Sequence, residues 1–265
     1  MSRREYHRLD FVVAGLQRRF GPRAIYRYEQ PSTPTLPPHI PTGFPELDRA
    51  LGIGGIPQGQ ITELLGPATS GKLTLAAKVV AQAQGAGHQA AWVDLGWTLD
   101  ADYLHRCGVD LKGLLVVRPH NGEEALAITA SLAAGELGIL VFDEVTSLKR
   151  QNLAPSLLEG ALARIHHGVT HSLRPGSGQA LCAVVFLTTT YFGPAGDVTN
   201  YPPGFPLGHY ATLRLVLERE KWIQRYGDVR GCWARVTTLK SRLAPPAGPV
   251  RIEIAFDGTV RGNGL

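Results

Sequence analysis

The sequence contains few cysteines and no long apolar stretch. Its three cysteines, Cys107, Cys182 and Cys232, are far apart and form no Cys-X-X-Cys pair, so we expect neither a disulfide framework nor a zinc site. The longest apolar run, Leu181–Leu187, is far shorter than the roughly 18 residues of a membrane-spanning helix. The N-terminal residues are basic and polar and lack the apolar segment of a secretory signal. We therefore expect a cytoplasmic protein that does not enter a membrane.

Charged residues are also few, and their signs are unevenly distributed. Only 18% of the 265 residues are charged, whereas 44% are hydrophobic, which is ordinary for a globular protein and excludes wholesale disorder. Residues 1–30 carry a net charge of +4, residues 31–213 of −4 and residues 214–265 of +5. Basic ends around an acidic centre suit a polyanionic partner, although an ordinary solvated basic surface has the same composition.

The first part of the chain differs in pattern from the rest. Apolar side chains at helical spacing predict an amphipathic helix over residues 7–20. Residues 24–28 read as a short strand, and residues 31–41 contain five prolines, which predict an extended linker. The predicted segments are therefore an oligomerisation arm (1–30), a Pro-rich linker (31–41) and a core (42–265).

The core alternates between strand patterns and helical patterns. Strands such as residues 139–142 and 183–188 are continuous apolar runs, which is typical of strands buried on both faces. After Leu213 only strands follow, and their apolar and polar residues alternate. We predict an α/β fold with a mostly parallel central sheet, helices on both faces and a C-terminal antiparallel meander.

A phosphate-binding motif lies between a predicted strand, residues 61–65, and a predicted helix, residues 73–84. The motif G-X-X-X-X-G-K comprises Gly66, Pro67, Ala68, Thr69, Ser70, Gly71 and Lys72. Its glycines let backbone N–H groups surround a phosphate, the helix N-terminus adds partial positive charge, and Lys72 reaches the outer phosphates. A glycine-rich turn without this role is the weaker interpretation.

The metal ligands that accompany such a loop are incomplete. An apolar strand is followed by Asp143, which stands where a carboxylate holds Mg²⁺. The residue after Lys72 is normally Ser or Thr, whose hydroxyl also binds Mg²⁺, but here it is Leu73. Thr74 is the next hydroxyl, and one step along a helix rotates a side chain by about 100°. We expect Asp143 to hold Mg²⁺ in a weakened site, with Thr74 as the second candidate ligand.

The segment PTGFPELDRALGIGGIPQGQITELLGPATSGKLTLAAKVV, residues 41–80, resembles the ATP-binding core of bacterial RecA recombinases. The similarity covers nearly the whole chain and includes a helix like the family's polymerisation arm. It implies a RecA-like P-loop NTPase core, ATP and Mg²⁺ as cofactors, single-stranded DNA as a partner, and a homo-oligomer or filament formed through residues 1–30. The divergent site residues also resemble the ImuA-like branch, accessory proteins of mutagenic translesion synthesis that recruit other repair proteins.

The resemblance assigns nucleotide contacts outside the loop. Asp100 and Tyr103 match residues that contact adenine, and Phe256 stands where an aromatic ring flanks the base. Lys240 and Arg242 match basic residues that reach the ATP of the neighbouring subunit. The resemblance therefore implies that nucleotide binding and subunit contact are kept.

Two departures from the family pattern predict slow hydrolysis. Gly96 stands where the family has its catalytic glutamate, and Thr189 stands where a glutamine senses the γ-phosphate. Glu144, directly after Asp143, is either a substitute general base or an ordinary strand-end acid. We assign Lys72 and Glu144 as the catalytic residues of a weak ATPase.

Two segments match the family's DNA-binding loops. The first begins after Leu148, is shortened and rearranged relative to the family, and offers Lys149 and Arg150, for which a solvated surface position is the alternative to phosphate contact. The second, residues 190–205, is rich in glycine, proline and aromatic residues, and aromatic side chains stack on bases. Its candidate contacts are Tyr191, Phe192, Gly193, Gly196, Asn200 and Tyr201. Since this second loop contains no Lys or Arg, a plain surface loop is an equal alternative.

Two functions remain open. The first is an ATP-binding and single-stranded-DNA-binding protein of recombination, repair or the DNA-damage response, with a degenerate ATPase site. The second is a non-hydrolysing, ImuA-like scaffold. A small-molecule P-loop kinase is the weakest candidate, because the sequence shows no Arg-rich lid and the arm would have no role. ATPase activity with and without single-stranded DNA separates the first two.

Overall fold

The computed structural model describes residues 3–21, 25, 36–151, 153–171, 181–192, 198–199, 205–245 and 247–256. The chain divides into two compact units, Met1–Leu36 and Pro37–Leu265.

The first unit contains helix α1 (Arg3–Phe20), which begins four residues before the predicted start. Four large apolar side chains of this helix are at least half exposed, namely Leu9, Phe11, Val12 and Phe20. The strand predicted at residues 24–28 lies, except for Ile25, outside the described residues.

The second unit is built from alternating strands and helices. Its helices are α2 (Pro45–Leu51), α3 (Lys72–Gly85), α4 (Ala101–Arg106), α5 (Gly122–Ala133), α6 (Pro155–His171) and α7 (Leu207–Tyr210), with a 3₁₀ helix at Val145–Gln151. Its strands are β1 (His39–Ile40), β2 (Ile56–Pro57), β3 (Ile61–Gly66), β4 (Ala90–Asp94), β5 (Leu114–Val117), β6 (Ile139–Asp143), β7 (Ala183–Thr189), β8 (Tyr191–Phe192), β9 (Val198–Thr199), β10 (Leu213–Arg225), β11 (Asp228–Ser241) and β12 (Val250–Ala255). The elements missing from the sequence-based prediction are α2, α7, the 3₁₀ helix, β1, β2, β8 and β9, which are too short to show a periodic pattern.

One sheet of eight strands runs through the second unit in the order β12-β11-β10-β3-β7-β6-β4-β5. The six strands β10, β3, β7, β6, β4 and β5 are parallel to one another. Strand β11 is antiparallel to both β10 and β12. This order confirms the predicted parallel sheet with a C-terminal antiparallel meander. It also places β7 between β3, which leads into the phosphate loop, and β6, which ends at Asp143.

Helices cover both faces of this sheet, as the buried strands require. On one face α3 packs into the core through residues such as Leu75 and Val79. On the other face α5 and α6 do so through residues such as Leu126 and Ile165. Within the described part of the chain, no helix combines the length and the apolar character needed to cross a membrane.

Candidate nucleotide-binding site

A cavity of about 620 Å³ opens where the parallel strands β3, β6 and β7 end at their carboxyl termini. In parallel α/β sheets this edge is where ligands bind, and the volume is that of a small-molecule site. The phosphate loop lines it with residues Ala68 to Thr74, β6 with Asp143 and Glu144, and β7 with Leu187 and Thr189. Side chains of the C-terminal meander complete the wall.

The phosphate loop depends on its two motif glycines. Gly66 has a φ of 153° and passes so close to β10 that a Cβ atom there would lie 2.2 Å from the carbonyl oxygen of Leu217. Gly71 caps α3 at its N-terminus with a φ of 98°, in the left-handed region that favours glycine. Between them Thr69 has a φ of 59°, which is uncommon for a residue with a branched side chain.

Lys72 lies at the floor of the cavity with only 7% of its surface exposed. Its Nζ donates hydrogen bonds to the carbonyl oxygens of Gly66 and Pro67, each at 2.8 Å. Burial lowers the pKa of Lys72 to about 8, against the opposing effect of Glu144 and Asp143. The amine is therefore held inside the loop, where an anionic ligand would restore the stability of its charged form.

Asp143 is the carboxylate that fits Mg²⁺. Burial, followed by the neighbouring Glu144 carboxylate, raises its pKa to about 7. Among the described residues, its Oδ2 is buried without a hydrogen-bond partner, and a carboxylate oxygen is the ligand that Mg²⁺ prefers. The described residues contain no cluster of three or more Asp, Glu, His or Cys side chains around a metal position. Phosphate oxygens and water would therefore supply the remaining ligands, which is usual for Mg²⁺ at phosphate sites.

The second candidate metal ligand, the hydroxyl of Thr74, makes a hydrogen bond within the cavity wall. Leu73 offers no oxygen, and the hydroxyl of Thr74 lies 2.6 Å from the phenol oxygen of Tyr103, in hydrogen-bond contact. Thr74 is thus part of the cavity wall, and its role as a metal ligand remains a prediction.

Glu144 is fixed by the end of the neighbouring strand. Its Oε1 accepts a hydrogen bond from the backbone N–H of Thr189 at 2.7 Å, and its Oε2 accepts one from the Thr189 hydroxyl. Thr146 donates to Oε1 through its backbone N–H at 3.2 Å and its hydroxyl at 2.9 Å. In the sheet register Thr189 is paired with Gly66, the first residue of the phosphate loop.

Gly96, which the family resemblance matches to a catalytic glutamate, brings no carboxylate to the site. Gly96 is exposed beyond the end of β4, and the nearest atom to a Cβ built there is the hydroxyl of Thr98 at 3.4 Å. The closest acid in sequence, Asp94, is fully buried and accepts hydrogen bonds from the backbone of Thr98 and from Arg118 Nε at 3.2 Å. Asp94 therefore stabilises the turn after β4 and does not line the cavity.

Aromatic rings line another part of the same cavity. Tyr103 and Phe256, which the sequence predicts beside the base, both line the cavity. Asp100 does not line it; its carboxylate accepts the backbone N–H of Tyr103 at 2.9 Å and caps α4. Two further residues of this wall were missed from sequence: Arg106, whose guanidinium lies 5.5 Å from the Tyr103 ring centre, and Trp222.

Lys240 and Arg242 lie away from the cavity, at the end of β11. Lys240 Nζ donates to the carbonyl oxygens of Gly208 at 2.8 Å and His209 at 3.1 Å, and Arg242 donates to His209 at 3.1 Å. Burial, and then the charge of Arg242, lower the pKa of Lys240. Both cations thus hold α7, the helix that follows the second candidate DNA loop.

The candidate DNA segments begin beside the cavity. Lys149 and Arg150 belong to the 3₁₀ helix Val145–Gln151, which starts directly after Glu144. Tyr191 and Phe192 form β8, which begins two residues after Thr189 and pairs with β9. The remaining candidates, Gly193, Gly196, Asn200 and Tyr201, lie outside the described residues.

The sheet order, the phosphate loop and Asp143 define the class of P-loop α/β proteins. Within that class, residues 7–261 match the family model of the RecA N-terminal domain. The RecA protein of Brucella anthropi is 34% identical over an alignment of 267 residues, which covers 97% of this chain and 73% of that protein. The RecA protein of Brucella suis is 35% identical over 263 residues, covering 95% and 72%. The chain therefore belongs to the RecA family.

A solved structure supports the same fold. The crystal structure of the RadB recombinase superposes with a TM-score of 0.62 at 18% sequence identity, covering 83% of this chain and 97% of that chain. At this identity the similarity shows the RecA-like fold alone.

Proposed function

We propose that this RecA-family protein binds ATP with Mg²⁺, binds single-stranded DNA in recombination or repair, and hydrolyses ATP slowly. The observation that carries the proposal is that the cavity has the groups needed to bind a nucleotide but lacks a group needed to hydrolyse it. The phosphate loop, Lys72 and the aromatic wall are complete, whereas Gly96 leaves the family's catalytic position without a carboxylate.

Nucleotide binding rests on groups that already converge on the cavity. The backbone of the phosphate loop and the N-terminus of α3 favour an anion, and Lys72 exchanges the carbonyl oxygens of Gly66 and Pro67 for phosphate oxygens. Mg²⁺, when bound, neutralises charge that develops on the phosphates. Asp143 is the residue that would hold it. Tyr103 and Phe256 supply aromatic surface for the base.

Slow hydrolysis follows from the state of Glu144. An attacking water needs a group that accepts its proton. A carboxylate has about four acceptor positions, and those of Glu144 receive donors from Thr189 and Thr146. Oε1 receives three of these donors and Oε2 receives one, so a single acceptor position, on Oε2, stays open to a water molecule. Release of the Thr189 contact would open further positions, and turnover is low while the contact is made.

The same contact joins the two candidate DNA segments. Glu144 immediately precedes the 3₁₀ helix with Lys149 and Arg150, and Thr189 precedes β8. A DNA strand bound by both segments would contact residues close in sequence to Glu144 and to Thr189, the two partners of these hydrogen bonds. Single-stranded DNA is thereby expected to change turnover, but weakly, since no glutamine senses the γ-phosphate at position 189.

Assembly into a homo-oligomer or filament is the remaining part of the proposal. Helix α1 exposes Leu9, Phe11, Val12 and Phe20, and in proteins most of the stability of a helix comes from the packing of its apolar face. Head-to-tail packing of α1 on a neighbouring copy would bury this surface. Lys240 and Arg242 are the cations proposed to reach the neighbour's nucleotide.

Two measurements test the proposal. Steady-state ATP turnover is measured with and without single-stranded DNA, and DNA binding is measured by fluorescence anisotropy over a range of salt concentrations. We expect turnover to be slow and only weakly stimulated, and log K to fall with log salt with a slope of about −2 to −4, at about −0.7 per neutralised phosphate. Lys72→Ala is the control that removes nucleotide binding. Brisk DNA-stimulated turnover contradicts the degenerate site, and absent DNA binding at low salt contradicts the DNA role.

The second candidate is the ImuA-like scaffold that binds nucleotide without turnover. Two absences favour this scaffold: position 73 is Leu and offers no hydroxyl, and position 96 is Gly and offers no carboxylate. Both groups would serve hydrolysis more than binding. ATP binding without measurable hydrolysis and without DNA binding would select this function. Other repair proteins would then be its partners.

A further inference from the structure

The outer end of the cavity contains an aromatic cluster that the family resemblance does not assign. Trp222 on β10 lines the cavity and is 41% exposed. Its ring meets Phe256 edge to face, with the ring centres 6.0 Å apart and the planes at 71°. In the meander Trp222 is paired with Cys232 of β11, which lines the same cavity. The indole therefore extends the cavity wall already formed by Phe256.

A single guanidinium connects this ring to the phosphate loop. Arg219 lies over the Trp222 ring, with its Cζ atom 3.9 Å from the ring centre. The same Arg219 donates a hydrogen bond to the hydroxyl of Thr69 and lies 3.5 Å from the Thr69 carbonyl oxygen. Since Thr69 has the left-handed backbone conformation at the tip of the loop, Arg219 stabilises an unfavourable conformation while it orders the indole.

We propose that Trp222 is a base-contacting residue of the nucleotide site, positioned by Arg219 between the base wall and the phosphate loop. The inference rests on the proposed binding of ATP, and its ligand class is a nucleotide that carries an aromatic base. A partly exposed indole on a cavity wall loses apolar contact with water when a flat base covers it.

The test compares two ligands that share the phosphates but not the base. Affinities for ATP and for inorganic tripolyphosphate, both with Mg²⁺, are measured by calorimetry for the full chain. Trp222→Ala is expected to weaken ATP binding about 5- to 100-fold, the range of one base–aromatic contact, and to change tripolyphosphate binding less than twofold. Trp222→Phe is expected to restore most of the affinity because it keeps a ring.

A matched control comes from the neighbouring strand. Trp233 follows Cys232 on β11, and successive side chains of a strand point to opposite faces, so Trp233 does not line the cavity. Trp233→Phe is expected to leave both affinities unchanged. Trp92 and Trp97 are present in both variants, so the change in tryptophan fluorescence on adding ATP should be larger in Trp233→Phe, which keeps Trp222, than in Trp222→Phe.

The possible failures are distinguishable. If Trp222→Ala and Trp222→Phe bind ATP as the wild type does while Lys72→Ala does not, the inference is wrong and the proposed function stands. Equal weakening of ATP and tripolyphosphate would show that Trp222 acts only on the loop and would overturn the base contact. A wild-type protein that binds neither ligand would overturn both the inference and the proposed nucleotide binding.

Discussion

The backbone N–H of Thr189 donates a 2.7 Å hydrogen bond to the carboxylate of Glu144, across two adjacent parallel strands. The bond joins the residue after Asp143 to the residue that is paired with Gly66 at the start of the phosphate loop. One carboxylate is thus connected to both the metal-binding strand and the phosphate loop. We propose that this contact limits the access of water to Glu144, the candidate base of the site.

Releasing Glu144 is expected to raise ATP turnover. Thr189→Val removes the hydroxyl donor with little change in volume, so Glu144 regains an acceptor position and turnover should rise several-fold. Glu144→Gln should remove the residual hydrolysis, because an amide accepts a proton from water far less readily than a carboxylate. Initial rates of phosphate release check both variants at equal nucleotide occupancy.

Thr190→Val is the matched control for this experiment. The Thr190 hydroxyl is buried and has no hydrogen-bond partner among the described residues, so its replacement by a methyl group should leave the rate unchanged. Turnover that survives Glu144→Gln would show that another acid serves as the base.

Restoring a carboxylate at position 96 is expected to accelerate hydrolysis. Gly96 is exposed, has no positive φ, and a Cβ atom there would touch nothing closer than 3.4 Å, so a side chain fits without displacing the backbone. A general base typically contributes about 10² to 10⁴ in rate, and Gly96→Glu should recover part of that factor. Gly96→Gln tests whether the gain needs the charge. Equal rates for the two variants would contradict a role as a base.

Deleting the arm is expected to abolish self-association. Removal of residues 1–30 takes away the exposed apolar side chains of α1, including Phe11, which is 74% exposed. The truncated chain should therefore be a monomer, as measured by light scattering, whereas the full chain should be an oligomer. Replacement of Phe11 and Val12 by Ser in the full chain should have the same effect. Identical masses for all three proteins would contradict assembly through the arm.

Breaking the ion pair below the phosphate loop is expected to destabilise the fold. Glu63 on β3 is fully buried, and its carboxylate lies 2.7 Å from Arg214 Nε and 2.9 Å from the hydroxyl of Thr188. Arg214→Met should lower the free energy of unfolding by about 3–5 kcal/mol, since it leaves the buried carboxylate without its cation. The double variant Glu63→Gln, Arg214→Met should be less destabilised, as measured by urea unfolding.

An exposed ion pair provides the control for that measurement. Arg230 and Asp228 lie 2.9 Å apart at the tip of the meander, where both side chains are more than half exposed. Solvent screens such a pair, so Arg230→Met should leave the unfolding midpoint unchanged. A similar loss of stability at both positions would contradict the special role of the buried pair.

The sheet could be predicted where its strands are buried on both faces. The apolar runs of β6 and β7 have no polar face, so they require helices above and below them, and the structure has both. The short elements escaped prediction because α7 and β8 contain only four and two residues. Such lengths show no period, and tertiary contacts alone decide their conformation.

The sequence predicts the site where a contiguous motif carries it, and the family resemblance adds Tyr103 and Phe256. Gly66 to Lys72 form one loop whose backbone requires glycine at positions 66 and 71, and Asp143 ends β6 at the same edge of the sheet. No contiguous motif contains Trp222 or Arg219. Their position beside the phosphate loop depends on the register between β10 and β3. Arg106 was missed for the same reason.

The amino-acid sequence by itself therefore determined the fold class and the phosphate loop, since both depend on local pattern, and its resemblance to the RecA family implied that Gly96 stands in place of a glutamate. Only the tertiary structure decided that Thr189 occupies Glu144 and that Arg219 joins Trp222 to Thr69. These contacts connect residues that are far apart along the chain. Their geometry follows from strand order and register, which no short segment of the sequence encodes.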